Sequence, residues 1–246
     1  MKKSQIVFFI LGGFFITNAL VAELIGGKLF LTPMPEFLQT FFSALGLDLK
    51  DFTMSVGILP WPFVFVATDL VNEFYGRRGV RFYTFITMGL ILYILPILYI
   101  SNLLPTSPIS PVKDGEFNQV FATSMGIILA SVVAFGVSQV VDIFIFSGFR
   151  RRTGAKHLWL RTTGSTLVSQ LVDTFVISFL AFVLPGYISF SDFLKLGAVS
   201  YIYKIGVAIL VTPLCYGGHS LVNWFVGQDE AEKLIAEAHP EDARTQ

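Results

Sequence analysis

An all-α membrane protein, built as a bundle of six transmembrane helices, is the fold that the sequence predicts. Three observations carry the prediction. The 246 residues are 54% hydrophobic and only 14% charged, where an average soluble domain carries about 25% charged residues. Their mean hydropathy is +0.69. The apolar residues, 26 phenylalanines among them, gather in stretches near the length of about 20 residues that a membrane-crossing helix needs. Too little charge is present to cover a water-facing surface, which excludes a soluble enzyme and a disordered chain. The formal net charge is zero, so no overall field would draw in a polyanion, and nucleic acid is not an expected partner. The lipid bilayer is.

The six stretches run over 5–25, 52–75, 80–103, 117–149, 163–184 and 193–225. The first follows Lys2 and Lys3 as a signal peptide would, but Leu20-Val21-Ala22 is a poor cleavage site, so it is expected to stay as a span. Between the first two spans lies a long connection punctuated by Gly and Pro. Its apolar patch, 36–47, is too short to cross and reads as a re-entrant or interfacial helix. The fourth and sixth stretches exceed one crossing, which predicts tilt, extension into water, or a bend at Pro213. Residues 1–227 thus form the transmembrane domain. Residues 228–246 form a polar tail in which Pro240 closes a short helix.

Basic residues orient the bundle. Lys2, Lys3, Arg77, Arg78, Arg81, Arg150, Arg151, Arg152, Lys156, Arg161, Lys233 and Arg244 fall on one side, twelve in all; Lys28, Lys50, Lys113 and Lys195 fall on the other. Six crossings with both termini cytoplasmic, in the cell (inner) membrane, satisfy this split. The remaining cation, Lys204, lies inside the sixth span.

Three spans carry related heptapeptides: TDLVNEF at 68–74, SQVVDIF at 138–144 and SQLVDTF at 169–175. In each, a polar residue and an Asn or Asp stand three apart, on one helix face. The pairs are Asp69 with Asn72, Gln139 with Asp142, and Gln170 with Asp173, and Glu73 extends the first. A competing reading makes these groups glue between Val- and Phe-rich helices. Carboxylates inside a span are costly, however, and mark functional sites by default. Asp173 lies about 15 Å into the fifth span, near the midplane. Asp69 and Glu73 lie nearer the cytoplasmic end, where pairing with Arg77 or Arg78 competes with a site role. Lys204 either neutralises one of these acids or parts from it as a solute passes. Asn18, in the outer half of the first span, completes the candidate substrate-binding set, whereas Glu23 reads as interfacial.

Catalytic and metal signatures are missing. The single cysteine, Cys215, excludes a disulfide framework, and His157, His219 and His239 are scattered without metal-ligand spacing. No phosphate loop, HExxH pair or GxSxG elbow occurs. No enzyme activity, metal or cofactor is therefore expected, and transport fits the buried acids best.

The segments TNALVAELIGGK (17–28), PWPFVFVATDLVNEFYGRRGVR (60–81) and LWLRTTGSTLVSQLVDTFVISFLAF (158–182) resemble the queuosine precursor transporter family, also called the vitamin uptake transporter family. The resemblance implies uptake of 7-deazaguanine bases, in the 7-cyano or 7-aminomethyl form or as queuine, for tRNA modification. It also implies a fold like the substrate-binding S components of energy-coupling-factor transporters. The first span reads Ala19-Leu20-Val21-Ala22 and lacks their AxxxA coupling motif, which favours action without an associated ATPase. Which base is carried, what drives it and the oligomeric state, a homodimer included, are left open. A carboxylate can accept the two N–H donors of a guanine-like edge, and an amide or ammonium can donate to its carbonyl. Asp173, Gln170, Asn72 and Lys204 supply such groups. Another purine-like base or vitamin meets the same chemistry, and a membrane scaffold is the reading outside transport.

Overall fold

The computed structural model describes residues 1–44, 51–153 and 158–238. The end of the 36–47 patch, Lys50, Lys156, Pro240 and Arg244 lie outside them. The elements run α1 (Lys3–Ile25), β1 (Leu29–Pro33), α2 (Glu36–Ala44), β2 (Asp51–Ser55), α3 (Trp61–Leu103), α4 (Asp114–Thr153), α5 (Leu158–Ser178), α6 (Phe190–Leu210), α7 (Thr212–Val226) and α8 (Gln228–Ala238). Among the described residues, four helical stretches are long and apolar enough to cross a membrane: Lys3–Ile25, Val56–Leu103, Asp114–Val141 and Phe190–Leu210. The chain is an all-α, multi-pass membrane protein, and the one sheet among the described residues is a two-stranded ribbon.

The described chain divides into two compact units. The first comprises Met1–Ile25, Gly57–Ile97 and Lys204–Gln246; the second comprises Gly26–Val56 and Leu98–Tyr203. In the first unit α3 is interrupted at Gly76, whose φ of 66° and ψ of −173° leave the helical region. Contacts with α1 show what the interruption does. Phe14 meets Phe63 edge-on, and Ser4 receives a 2.6 Å hydrogen bond from the Tyr75 hydroxyl, so α1 runs antiparallel to 61–75. Gly79 lies against the Phe8 ring and the Tyr83 ring covers Gly12, with the Tyr83 hydroxyl donating to Phe8 O at 2.7 Å, so α1 runs parallel to the residues after Gly76. The chain turns back at Gly76, and the second and third apolar stretches become a helical hairpin. A φ near +66° with an extended ψ is open almost only to glycine. An apolar core of Val7, Leu70, Phe74, Val222, Val226 and Ala231 holds α1, α3, α7 and α8 together. Tail helix α8, expected only as a solvated end, adds Leu234 and Ile235 to that core.

In the second unit α4 packs along α5. Helix α5 continues into a π-helical turn, Phe179–Val183. Ile127 and Ala130 of α4, Ala181 and Phe182 of the turn, and Leu196 of α6 form its core. Ser189 caps the N-terminus of α6: Asp192 N donates to Ser189 Oγ at 3.1 Å, and that hydroxyl donates to the Asp192 carboxylate at 2.7 Å.

One boundary differs from the sequence reading and one agrees with it. Residues 52–55 are strand rather than the start of a span: β1 and β2 pair antiparallel, with Leu29 opposite Ser55 and Pro33 opposite Asp51. Long-range pairing of the ribbon overrides a local apolar pattern, and the helix begins only where Pro62 presets its first turn. The sixth stretch breaks at Val211, just before Pro213 in the first turn of α7, as the bend at that proline predicted.

Candidate functional site

Polar side chains at four-residue spacing form a ladder between α3 and α7 in the first unit. Asp69 and Glu73 stand one turn apart on α3; Cys215, His219 and Asn223 stand one turn apart on α7. The Cys215 thiol donates to Asp69 Oδ2 at 3.5 Å. One turn further on, His219 Nε2 lies 3.9 Å from Glu73 Oε1, and His219 Nδ1 lies 3.2 Å from Asn223 Nδ2. The His219 ring also stacks on Phe74, with centroids 5.1 Å apart and planes at 27°. Close approach sets this register. A Cβ on Gly218 would fall 2.7 Å from Leu70 Cδ1, so the glycine lets α7 lie against the buried Leu70.

On the adjoining face Thr68, Asp69, Asn72, Arg77, Val80 and Arg81 line an open recess of ≈ 240 Å³. Here Asp69 and Asn72 come together as their spacing predicted. Glu73 turns to His219, a partner that the sequence reading did not consider. Lys204 Nζ stands 5.2 Å above the Trp61 ring, a cation–π contact worth about 0.5–2 kcal/mol depending on how far it is desolvated. Asn18 donates its side-chain N–H to Phe14 O of its own helix at 2.8 Å, which commits one of its two donors to α1.

The other candidates belong to the second unit. Gln170 and Asp173 are half-buried on α5, and Gln139 is exposed on α4. The backbone of Asp142 is helical, and its side chain lies outside the description. Hydroxyls that open the two SQ motifs point inward: Ser138 is 6% exposed and Ser169 7%. Ser138 Oγ donates to Phe135 O at 3.0 Å, Thr174 Oγ1 to Gln170 O at 2.8 Å and Ser178 Oγ to Thr174 O at 2.7 Å. Small, internally satisfied hydroxyls let helices approach closely inside a membrane, so part of the repeated motif serves packing. A second cavity, ≈ 210 Å³, is lined by Leu29, Asp51 and Thr53 of the ribbon segment and by Ile188, Asp192, Lys195, Leu196 and Val199. Lys195 Nζ pairs with Asp192 at 3.8 Å there. No residue chosen from the sequence lines this cavity.

Cys215, His219 and Asn223 were missed. Their signal was present as a C-x-x-x-H-x-x-x-N stripe in the sixth apolar stretch, but a lone histidine in each of three distant segments hid it. Among the described residues, no group of three or more His, Cys, Asp or Glu side chains is placed to hold a metal ion.

Comparison with known proteins adds independent findings. Residues 55–218 match the model of a family described as "Putative vitamin uptake transporter". A protein of Bacillus subtilis (strain 168) named probable queuosine precursor transporter is 28% identical over 177 residues, covering 72% of this chain and 76% of that protein. One of the same name from Haemophilus influenzae is 28% identical over 204 residues, 79% of this chain and 80% of its own. The queuosine precursor transporter of Escherichia coli (strain K12) is 27% identical over 185 residues, 73% of this chain and 78% of its own. No solved structure matches.

Proposed function

The chain belongs to the vitamin uptake transporter family, and from that membership we propose that it imports queuosine precursors across the cell membrane. The observation that carries this reading is the family match over 55–218, which takes in the helical hairpin, α4, α5, α6 and the start of α7. Relatives named queuosine precursor transporters, each similar over about three quarters of this chain, support it. The cargo is a free 7-deazaguanine base, the 7-cyano or 7-aminomethyl form or queuine, destined for tRNA modification. The chain carries solute and catalyses no reaction.

Six crossings put both termini on one side, and the basic-residue asymmetry favours the cytoplasmic side. The fold-back at Gly76 supports this count, with α1, the two arms of α3, α4, α5 and the α6–α7 pair as the crossings. We read the bundle as S-component-like, as the sequence resemblance implies. Asp173 recognises the base, its carboxylate accepting two N–H donors of the guanine-like edge while Gln170, three residues earlier, donates to the carbonyl. Half-burial of both groups on α5 supports this assignment.

Cells that neither make 7-deazaguanines nor carry their own importer test the reading. Expressing this protein should restore queuosine in tRNA at low external precursor. Recovery no better than empty vector, with the protein in the membrane, would overturn it.

A further inference from the structure

Glu73, His219 and Asn223 form an array that base recognition on α5 does not use, and its chemistry is that of a proton site. We propose that this array carries the proton of a proton-coupled carrier, so that inward base movement is driven by inward proton movement. The inference rests on the import reading above and supplies its energy source.

Histidine is the side chain whose ordinary charge change falls between about pH 5 and 8. Ionisable residues within a span are typical of proton relays. In the arrangement observed, Asn223 Nδ2 points at His219 Nδ1 across 3.2 Å, which suits an imidazole bare at Nδ1 with its proton on Nε2, toward Glu73. Asn223 Oδ1 is meanwhile buried without a hydrogen-bond partner. A proton added at Nδ1 makes both ring nitrogens donors. Turning the Asn223 amide then brings the idle Oδ1 to accept from Nδ1–H, while the imidazolium faces the Glu73 carboxylate. Either protonation state is therefore served by one amide rotation. The proton that enters on the ring from outside leaves it inside, and no covalent bond to carbon changes.

Neighbouring elements add little charge to this ring. α3 supplies Glu73 and, one turn away, Asp69, which is engaged by Cys215 of α7. α1 turns Val7 and Leu11 toward the shared core, with Lys3 over the Phe225 ring; α8 turns Ala231, Leu234 and Ile235 toward it. The His219 and Glu73 side chains are 36% and 48% exposed, so the surrounding protein does not seal the pair.

Purified protein in liposomes decides the matter, with radiolabelled 7-cyano-7-deazaguanine, a neutral base, as the probe. An inward pH gradient of one unit should drive accumulation of up to about tenfold at one proton per neutral base, collapsed by a protonophore. Exchange of external label for preloaded unlabelled base needs no net proton movement. His219→Gln should keep that exchange and lose gradient-driven accumulation. Glu73→Asp should retain accumulation and Glu73→Gln lose it. Exchange without any gradient-driven accumulation in the unaltered protein overturns proton coupling alone, as does undiminished accumulation in His219→Gln. Loss of exchange together with accumulation in His219→Gln makes the array structural and also overturns it. Absence of exchange in the unaltered protein overturns the import reading, and this proposal with it.

Discussion

Asp173 shows what a single residue contributes to the account. A carboxylate halfway along an apolar helix is costly, and a helix keeps one where it meets a partner that repays the desolvation. On the proposed recognition role, Asp173→Asn preserves size but turns an acceptor oxygen into a donor that opposes the N–H edge of the base. Losing such a charge-assisted contact costs about 2–4 kcal/mol, or roughly 30- to 1,000-fold in affinity. Isothermal titration with 7-cyano-7-deazaguanine should show that loss, while the variant stays monodisperse in detergent. Aggregation of the variant, or unchanged affinity, would contradict a recognition role. The acids were legible because charge inside an apolar run stands out in a sequence. Orientation was not: Glu73 meets His219 only because α7 lies beside α3, more than 140 residues away along the chain.

At the level of elements, the apolar stretches were legible and their joints were not. Length and hydropathy located α1, α4 and α6, and Pro213 marked the break before α7. The β1–β2 ribbon escaped because each strand is five residues long and gains its hydrogen bonds only from the other. Docking of α8 escaped because Ala231, Leu234 and Ile235 share one face among charged neighbours. The joint at Gly76 carries a prediction of its own. Its backbone lies where non-glycine residues pay about 1–3 kcal/mol, and a Cβ there would fall 2.8 Å from Ala238 O at the end of α8. Gly76→Ala should therefore lower the thermal unfolding midpoint in detergent and open the tail to proteolysis. An unchanged midpoint with a protected tail would show that the hairpin does not depend on this conformation.

For the whole molecule, topology and cargo are the two claims that matter. The proposed topology has Lys113 outside and Arg151 inside. Single cysteines at these positions, in a Cys215→Ser background, should react with an impermeant maleimide from outside at 113 only. Reaction at both would refute six crossings with cytoplasmic termini. Uptake by reconstituted vesicles shows whether this chain alone carries a 7-deazaguanine base. Vesicles holding the purified protein should take up labelled queuine faster than empty ones. Excess unlabelled 7-cyano-7-deazaguanine should compete and adenine, which lacks the carbonyl and N1–H edge, should not. Uptake equal to that of empty vesicles, or equal competition by adenine, would contradict the account.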